Sequence, residues 1–307
     1  MPSDVLVPCS SSVLEKIVSI VLNSVRSAQS QRAYRRALLD FLVWHHQTGQ
    51  EAVNKAVVQQ YRAELQKSGL AASSINLNLT AVRRLAAEAA DNGFLAPELA
   101  AGIARVKGEP ASGARTGQWL SRIQTEQMLN LPDRKTNKGK RDRAALALLV
   151  GCGLRRNELV NLRADQVQQR DGRWVLADLL GKGRRVRTVP MPSWAKVALD
   201  DWTEAAGVTS GPILRAVNKS DRILNQPITA QSVFNIVTGY GIDLKVAITP
   251  HDLRRTFAKL AHNGHAALEQ IQLSLGHASV LTTERYLGIR QNLADAPCDH
   301  LGLEVGA

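Results

Sequence analysis

The chain has 307 residues, enough for two domains with separate cores, and its 44% hydrophobic content is ordinary for a soluble globular protein. Its 39 Lys and Arg against 27 Asp and Glu leave a formal net charge of +12, which favours a polyanionic partner, nucleic acid above all. Cys9, Cys152 and Cys298 lie far apart without a Cys-x-x-Cys pair, which argues against a disulfide framework or a zinc site and fits a reducing cytoplasm.

At the N-terminus no charged stretch precedes an apolar one, so no secretion signal is expected. The first hundred residues read as helices with serine starts and glycine stops. Val13, Ile17, Ile20 and Val21 recur at helical spacing behind Ser10-Ser11-Ser12. Tyr34, Leu38, Phe41 and Leu42 do the same up to Gly49, as do Val57, Tyr61 and Leu65 up to Gly69. Ile75, Leu79, Val82 and Ala86 follow Ser73-Ser74 and end at Asn92-Gly93. Four or five amphipathic helices of this kind make a small bundle over residues 1–106. Since it begins near residue 10, no additional arm-binding domain is expected ahead of it. Lys107 to Gly117 (KGEPASGARTG) lacks any apolar period and reads as a linker, so a second domain should span residues 118–307.

Arg134 to Arg143 holds six basic residues and one acid, Asp142, and reads as a solvated loop or a phosphate contact. Ala144 to Leu162 is strongly apolar and helical. Its longest apolar stretch stops near Leu154, short of the roughly 20 residues a membrane span needs, so no membrane partner is expected. Between Val167 and Pro190 the pattern changes to strands, with Asp171-Gly172 as one hairpin turn and Gly181-Lys182-Gly183 as another. The remainder reads as helices. The expected fold class is therefore mainly α, a helical N-terminal bundle followed by a mixed α/β domain with a small β-sheet.

Six polar side chains in the second half carry the chemistry: Arg155, Lys182, His251, Arg254, His277 and Tyr286. Each has a plain structural reading. Arg155 and Glu158 could form an ion pair on a helix, and Lys182 could sit in an exposed turn. Thr249-Pro250-His251-Asp252 is a well-formed helix start that would set His251 and Arg254 on one face, in a first turn that already favours anions. Arg255, one position further round, should point elsewhere. His277 follows Leu275-Gly276 and could cap a helix C-terminus. Tyr286 follows Thr282-Thr283-Glu284-Arg285, a polar neighbourhood for a core residue. As a set, two arginines, a lysine and two histidines could bind one phosphodiester and move its protons while a tyrosine hydroxyl attacks it. That chemistry requires no metal ligand set.

The phrases GLRRNEL, LLGKGRRVRTVP, TPHDLRRTFA and LGHASVLTTERY occur in this order. The pattern resembles the tyrosine recombinase family of phage integrases and Xer-type site-specific recombinases, through motifs over about residues 118–290 and by architecture before them. The resemblance implies a core DNA-binding bundle joined to a catalytic domain, together clamping duplex DNA. It also implies that Tyr286 attacks the scissile phosphate, giving a 3′-phosphotyrosyl bond and a free 5′-hydroxyl. By charge, His251 would be the base for that step, Arg155 and Arg254 would clamp the non-bridging oxygens, and Lys182 would protonate the leaving oxygen. His277 would add a hydrogen bond, and Glu158 would hold Arg155 in place. Neither ATP, a metal nor another cofactor is expected, because the phosphotyrosyl bond keeps the energy of the bond it replaces.

The expected partners are double-stranded DNA recombination sites, with a homotetramer on two of them. By its residues the short tail beyond Tyr286 could simply fray, whereas the resemblance implies that it docks on a neighbouring protomer through Leu301 and Leu303. On the helical bundle, Arg32, Arg35, Arg36, Arg83 and Arg84 are candidate DNA contacts. A type IB topoisomerase-like strand transferase, a non-catalytic DNA-binding regulator and a metal-dependent nuclease are the competing functions.

Overall fold

The computed structural model describes residues 11–25, 27–49, 52–110, 118–181 and 185–287. By its internal contacts the chain divides into two compact units, residues 1–114 and 115–307.

The first unit holds five helices: α1 (Ser11–Asn23), α2 (Ala28–Gln47), α3 (Lys55–Lys67), α4 (Ala72–Asp91) and α5 (Pro97–Ala104). Their apolar stripes meet in one core through Val21, Leu38, Phe41, Val58, Leu79, Val82 and Ile103. Ser27 and Asn54 cap α2 and α3 by accepting from backbone N–H groups three residues on. Gly49, Gly69 and Gly93 follow α2, α3 and α4 in the left-handed region, where glycine is free of strain. The start of α4 differs from expectation. Ala71 is its N-cap, and Ser73 and Ser74 lie inside the first turn. The expected linker also differs at its beginning. Arg62 Nη1 donates to Lys107 O at 3.0 Å, and Asn76 exchanges two bonds with Glu109, at 2.8 and 2.9 Å. Residues 107–110 are thus fastened to α3 and α4, while 111–117 lie outside the described residues. Arg32, Arg35, Arg36 and Arg84 are exposed, whereas Arg83 is partly buried and donates to Val106 O.

In the second unit the central element is α7 (Asn137–Gly151), whose residues Ala144 to Leu149 are buried on every side. Around it lie α6 (Arg122–Asn130), α8 (Arg156–Val160), α9 (Ser193–Ala205), α10 (Ala230–Asp243), α11 (Pro250–Asn263), α12 (Leu268–Leu275) and α13 (Val280–Leu287). Strands β1 (Val167–Arg170), β2 (Arg173–Leu180) and β3 (Val186–Pro190) form an antiparallel sheet in that order. The β1–β2 turn is Asp171-Gly172, both at positive φ, as a two-residue hairpin needs.

Three expectations are corrected here. The basic run is a loop only at its start, with Arg134 and Lys135 exposed in a turn, because α7 begins at Asn137: Arg141 and Asp142 are buried as a pair, and Asp142 also accepts from Lys138 Nζ at 3.0 Å. Arg134 and Arg143 pair with Asp201, so most of the run neutralises internal carboxylates. The apolar stretch Ala144 to Leu162 is two helices, broken at Gly153, whose φ is +58°. A second hairpin, β4 (Arg215–Val217) and β5 (Ile223–Pro227), stands where only helix was expected.

Candidate active site

The break at Gly153 makes Arg155 the N-cap of α8, and the helix polarity favours an anion there. Glu158 reaches back over this turn. Its carboxylate accepts from the Arg155 backbone N–H at 2.8 Å and from Arg155 Nη1 at 2.7 Å. Helix α11 opens with Thr249 as N-cap and Asp252 as its capping-box partner, which accepts from the Thr249 hydroxyl at 2.6 Å. That start fixes His251 at the mouth and Arg254 beneath it. Arg254 is 1% exposed, donates to Gly153 O at 2.5 Å and to Leu275 O, and lies 3.9 Å from Glu158. Gly276 closes α12 in the left-handed conformation and turns the chain into His277. Tyr286, on α13, packs against a satellite cluster with Ala258, Ile271, Leu275 and Leu287.

The result is one constellation. The Tyr286 ring lies 5.4 Å from the His251 ring and 5.3 Å from the His277 ring, both edge-on. Its hydroxyl donates to the His251 backbone oxygen at 3.2 Å. Arg155, His251, Arg254, His277 and Tyr286 therefore come together from four helices. Lys182 lies outside the described residues. The described residues that flank it are joined by Gly181 N–H donating to Arg185 O at 2.8 Å.

Electrostatics follow from that packing. Burial raises Tyr286 to about 12 against the pull of Arg254 and Arg255, so its phenol is protonated at neutral pH. Burial first, then Arg254 and Arg155, lower His277 to about 4. Burial and the neighbouring Arg255 and Arg254 lower His251 as well. Both imidazoles are thus neutral at pH 7. Burial and Arg155 bring Arg254 down to about 9, which leaves it charged. Despite its burial, Glu158 is held at about 2 by Arg187 and Arg155.

Three contributors escaped the sequence reading. Arg187 on β3 grips Glu158 with both terminal nitrogens, at 2.9 and 2.8 Å. Arg255 does not point away. It lies 5.1 Å from the Tyr286 ring centre and 3.6 Å from Asp252, where the helix turn brings it over the tyrosine. Thr283, fully buried, pairs with His277 Nδ1 at 2.9 Å. Among the described residues no three His, Cys, Asp or Glu side chains gather as a metal site, and no helix is long and apolar enough to cross a membrane.

Residues 118–292 match the phage integrase family, and residues 19–93 match the phage integrase N-terminal SAM-like domain. The chain belongs to the phage integrase family. A tyrosine recombinase of Synechococcus elongatus is 29% identical to it over 94% of each chain. Tyrosine recombinase XerC of Xylella fastidiosa is 31% identical over 85% of this chain and 86% of its own. Among solved structures, the XerH site-specific recombinase bound to palindromic difH substrate, a post-cleavage complex, covers 91% of this chain and 81% of its own. Its TM-score is 0.71 at 20% identity. A lambda integrase dimer bound to a COC′ core site covers 90% of this chain and 94% of its own, with a TM-score of 0.67 at 16% identity. At such identities these two establish the likeness of fold. As a member of the tyrosine recombinases, the protein is a site-specific recombinase that cleaves and rejoins DNA.

Gly153 supports this integrase site through its carbonyl, and a Cβ added there would lie 2.6 Å from Phe257 Cδ1. Gly153→Ala is expected to destabilise the fold by about 2–4 kcal/mol, from left-handed strain plus overlap. A denaturant melt checks this; an unchanged midpoint would show that the turn tolerates a side chain.

Proposed function

We propose that Tyr286 is the nucleophile of this recombinase and that Arg155, Lys182, His251, Arg254 and His277 serve it. The phenol oxygen attacks the scissile phosphorus and forms a 3′-phosphotyrosyl bond while the bond to the 5′-oxygen breaks. His251 takes the phenol proton, and Lys182 gives one to the departing 5′-oxygen. Arg155 and Arg254 face the non-bridging oxygens as charge accumulates there. When the Thr283 hydroxyl donates to Nδ1, which lies 2.9 Å away, neutral His277 carries its proton on Nε2 and offers it to the phosphate. The observation that carries this reading is the Tyr286 ring, its phenol protonated at neutral pH, set edge-on to both histidines and within the field of Arg254 and Arg155.

Wild-type protein on a nicked suicide substrate, in chelator and without ATP, should give a denaturant-stable adduct whose DNA maps to the peptide containing Tyr286. An adduct on another residue would overturn the assignment. The pH dependence is a second check. His251 serves as base only when neutral, and its pKa is below the ordinary 6.5. Because Tyr286 holds its proton to about 12 and Arg254 begins to lose its charge near 9, the cleavage rate should be level from about pH 7 to 8 and fall both below about pH 6.5 and towards pH 9. In His251→Gln that acid limb should vanish along with most of the rate. An unaltered limb would assign it to another group.

We also propose that residues 1–106 form a core DNA-binding domain and 118–307 the catalytic one, acting in the cytoplasm as a homotetramer on two recombination sites. Support comes from the charge of +12 and from the DNA-bound XerH and lambda integrase structures of like fold. The tail expected to link protomers, including Leu301 and Leu303, lies outside the described residues.

A further inference from the structure

We propose that Arg187 is a positioning residue for strand cleavage: it neutralises Glu158, so that Arg155 and Arg254 are left free to face the phosphate, and it ties β3 to the turn carrying His277. The inference rests on the phosphate-binding roles assigned to the two arginines.

Glu158 holds Arg155 in one rotamer, but a carboxylate so close also competes with the phosphate for it. It lies 2.7 Å from Arg155 and 3.9 Å from Arg254. Arg187 approaches the same carboxylate with a two-pronged grip, the strongest geometry available to a guanidinium. Three arginines against one carboxylate leave a surplus of positive charge at the site. Without Arg187, Glu158 would be balanced at the expense of Arg155 or Arg254.

The third contact reaches another element. Arg187 Nε donates to Ser274 O at 2.9 Å, in the last turn of α12. Two residues later, Gly276 leaves the room Arg187 requires, since a Cβ there would lie 2.9 Å from Arg187 Cδ. The guanidinium thus joins β3, which follows Lys182 in the chain, to the α8 carboxylate and to the turn before His277. With its side chain 9% exposed and bonded inward through three nitrogens, Arg187 acts through its neighbours rather than on substrate.

The test is single-turnover adduct formation on the suicide substrate, with site affinity and thermal melting measured beside it. Arg187→Met should slow adduct formation about 100-fold, in the range seen when one electrostatic contributor is removed. Affinity for the site should change by no more than about threefold, because phosphate contacts elsewhere dominate binding. Arg187→Lys should stay at least about tenfold below wild type, since one ammonium cannot reproduce a fork plus a third bond. The decisive comparison is the double variant Arg187→Met/Glu158→Gln. It should be at least about tenfold faster than Arg187→Met alone, because a neutral amide no longer draws on the remaining arginines. A purely architectural role predicts no such rescue. Arg187→Met cleaving at the wild-type rate, or a double variant no faster than the single, would overturn the proposal. If methionine at this position unfolds the protein, Arg187→Lys decides, and a wild-type rate there overturns it equally. Should wild type form no adduct on Tyr286, the reading of the whole site falls, and this inference with it. An intact wild-type adduct with an unimpaired Arg187 variant removes the inference alone.

Discussion

Tyr286→Phe is expected to bring covalent adduct formation on a suicide substrate below detection while leaving site binding nearly intact. The substitution deletes one oxygen. What the fold loses is the bond from that hydroxyl to the His251 carbonyl, worth about 1 kcal/mol. The ring keeps its contacts with α11 and α12, including the edge-on approach to both histidines. Chemistry loses its proposed nucleophile, because the other described hydroxyl against these rings, that of Thr283, is fully buried and bonded to His277 Nδ1. A gel shift at the recombination site and a denaturing gel of the adduct separate the two effects. Persistence of the adduct in the Phe variant would mean that Tyr286 is not the nucleophile. Loss of site binding with it would mean that the hydroxyl organises the fold instead.

Most of this site was legible because its signals are local. The Thr249–Asp252 capping box and Pro250 announce the start of α11 in four consecutive residues, and the spacing of His251 and Arg254 follows from helical geometry. Asp171-Gly172 announces the first hairpin in the same way. What escaped depends on partners far along the chain. Arg187 sits in a run of basic residues on the return strand, and its carboxylate is 29 positions earlier, on α8. Arg255 was expected to face away, one position past Arg254. The cluster of α11, α12 and α13 instead carries the Tyr286 ring beneath it.

The basic run from Arg134 was misread for a related reason. Its charges meet Asp142 and Asp201, one on the same helix and one on α9, so that burial becomes affordable only in the folded protein. The missed β4–β5 hairpin has no alternating pattern, since its strands are half-buried or exposed nearly throughout. Its purpose lies in its turn: Asp221, at a φ of +57°, accepts from the backbone N–H groups of Asn137 and Lys138, both at 2.8 Å. These are unpaired donors of the first turn of α7. The hairpin thus closes the central helix of the unit. No spacing within either segment signals that, because it exists only between them.

Lys182→Ala is expected to slow cleavage by about 100- to 10,000-fold, the span covered by general acid catalysis, with little loss of site affinity. The reasoning starts from the leaving group. An alkoxide departs poorly from a phosphate at neutral pH, and within the proposed set both histidines are neutral while the arginines hold their protons. A lysine is the remaining cation of the set, and an ammonium is a group that can surrender a proton. On either side of Lys182 in the chain, Gly181 and Arg185 are joined by a backbone bond, directly before the strand that Arg187 locks onto Glu158. The assignment can be separated from simple electrostatic support by changing the substrate. If sulfur replaces the bridging 5′-oxygen, the departing thiolate needs no proton. Lys182→Ala should then recover most of its lost rate, whereas Arg155→Ala and Arg254→Ala should recover none, because their partners are the non-bridging oxygens. Equal defects of Lys182→Ala on the oxygen and sulfur substrates would exclude it as the acid.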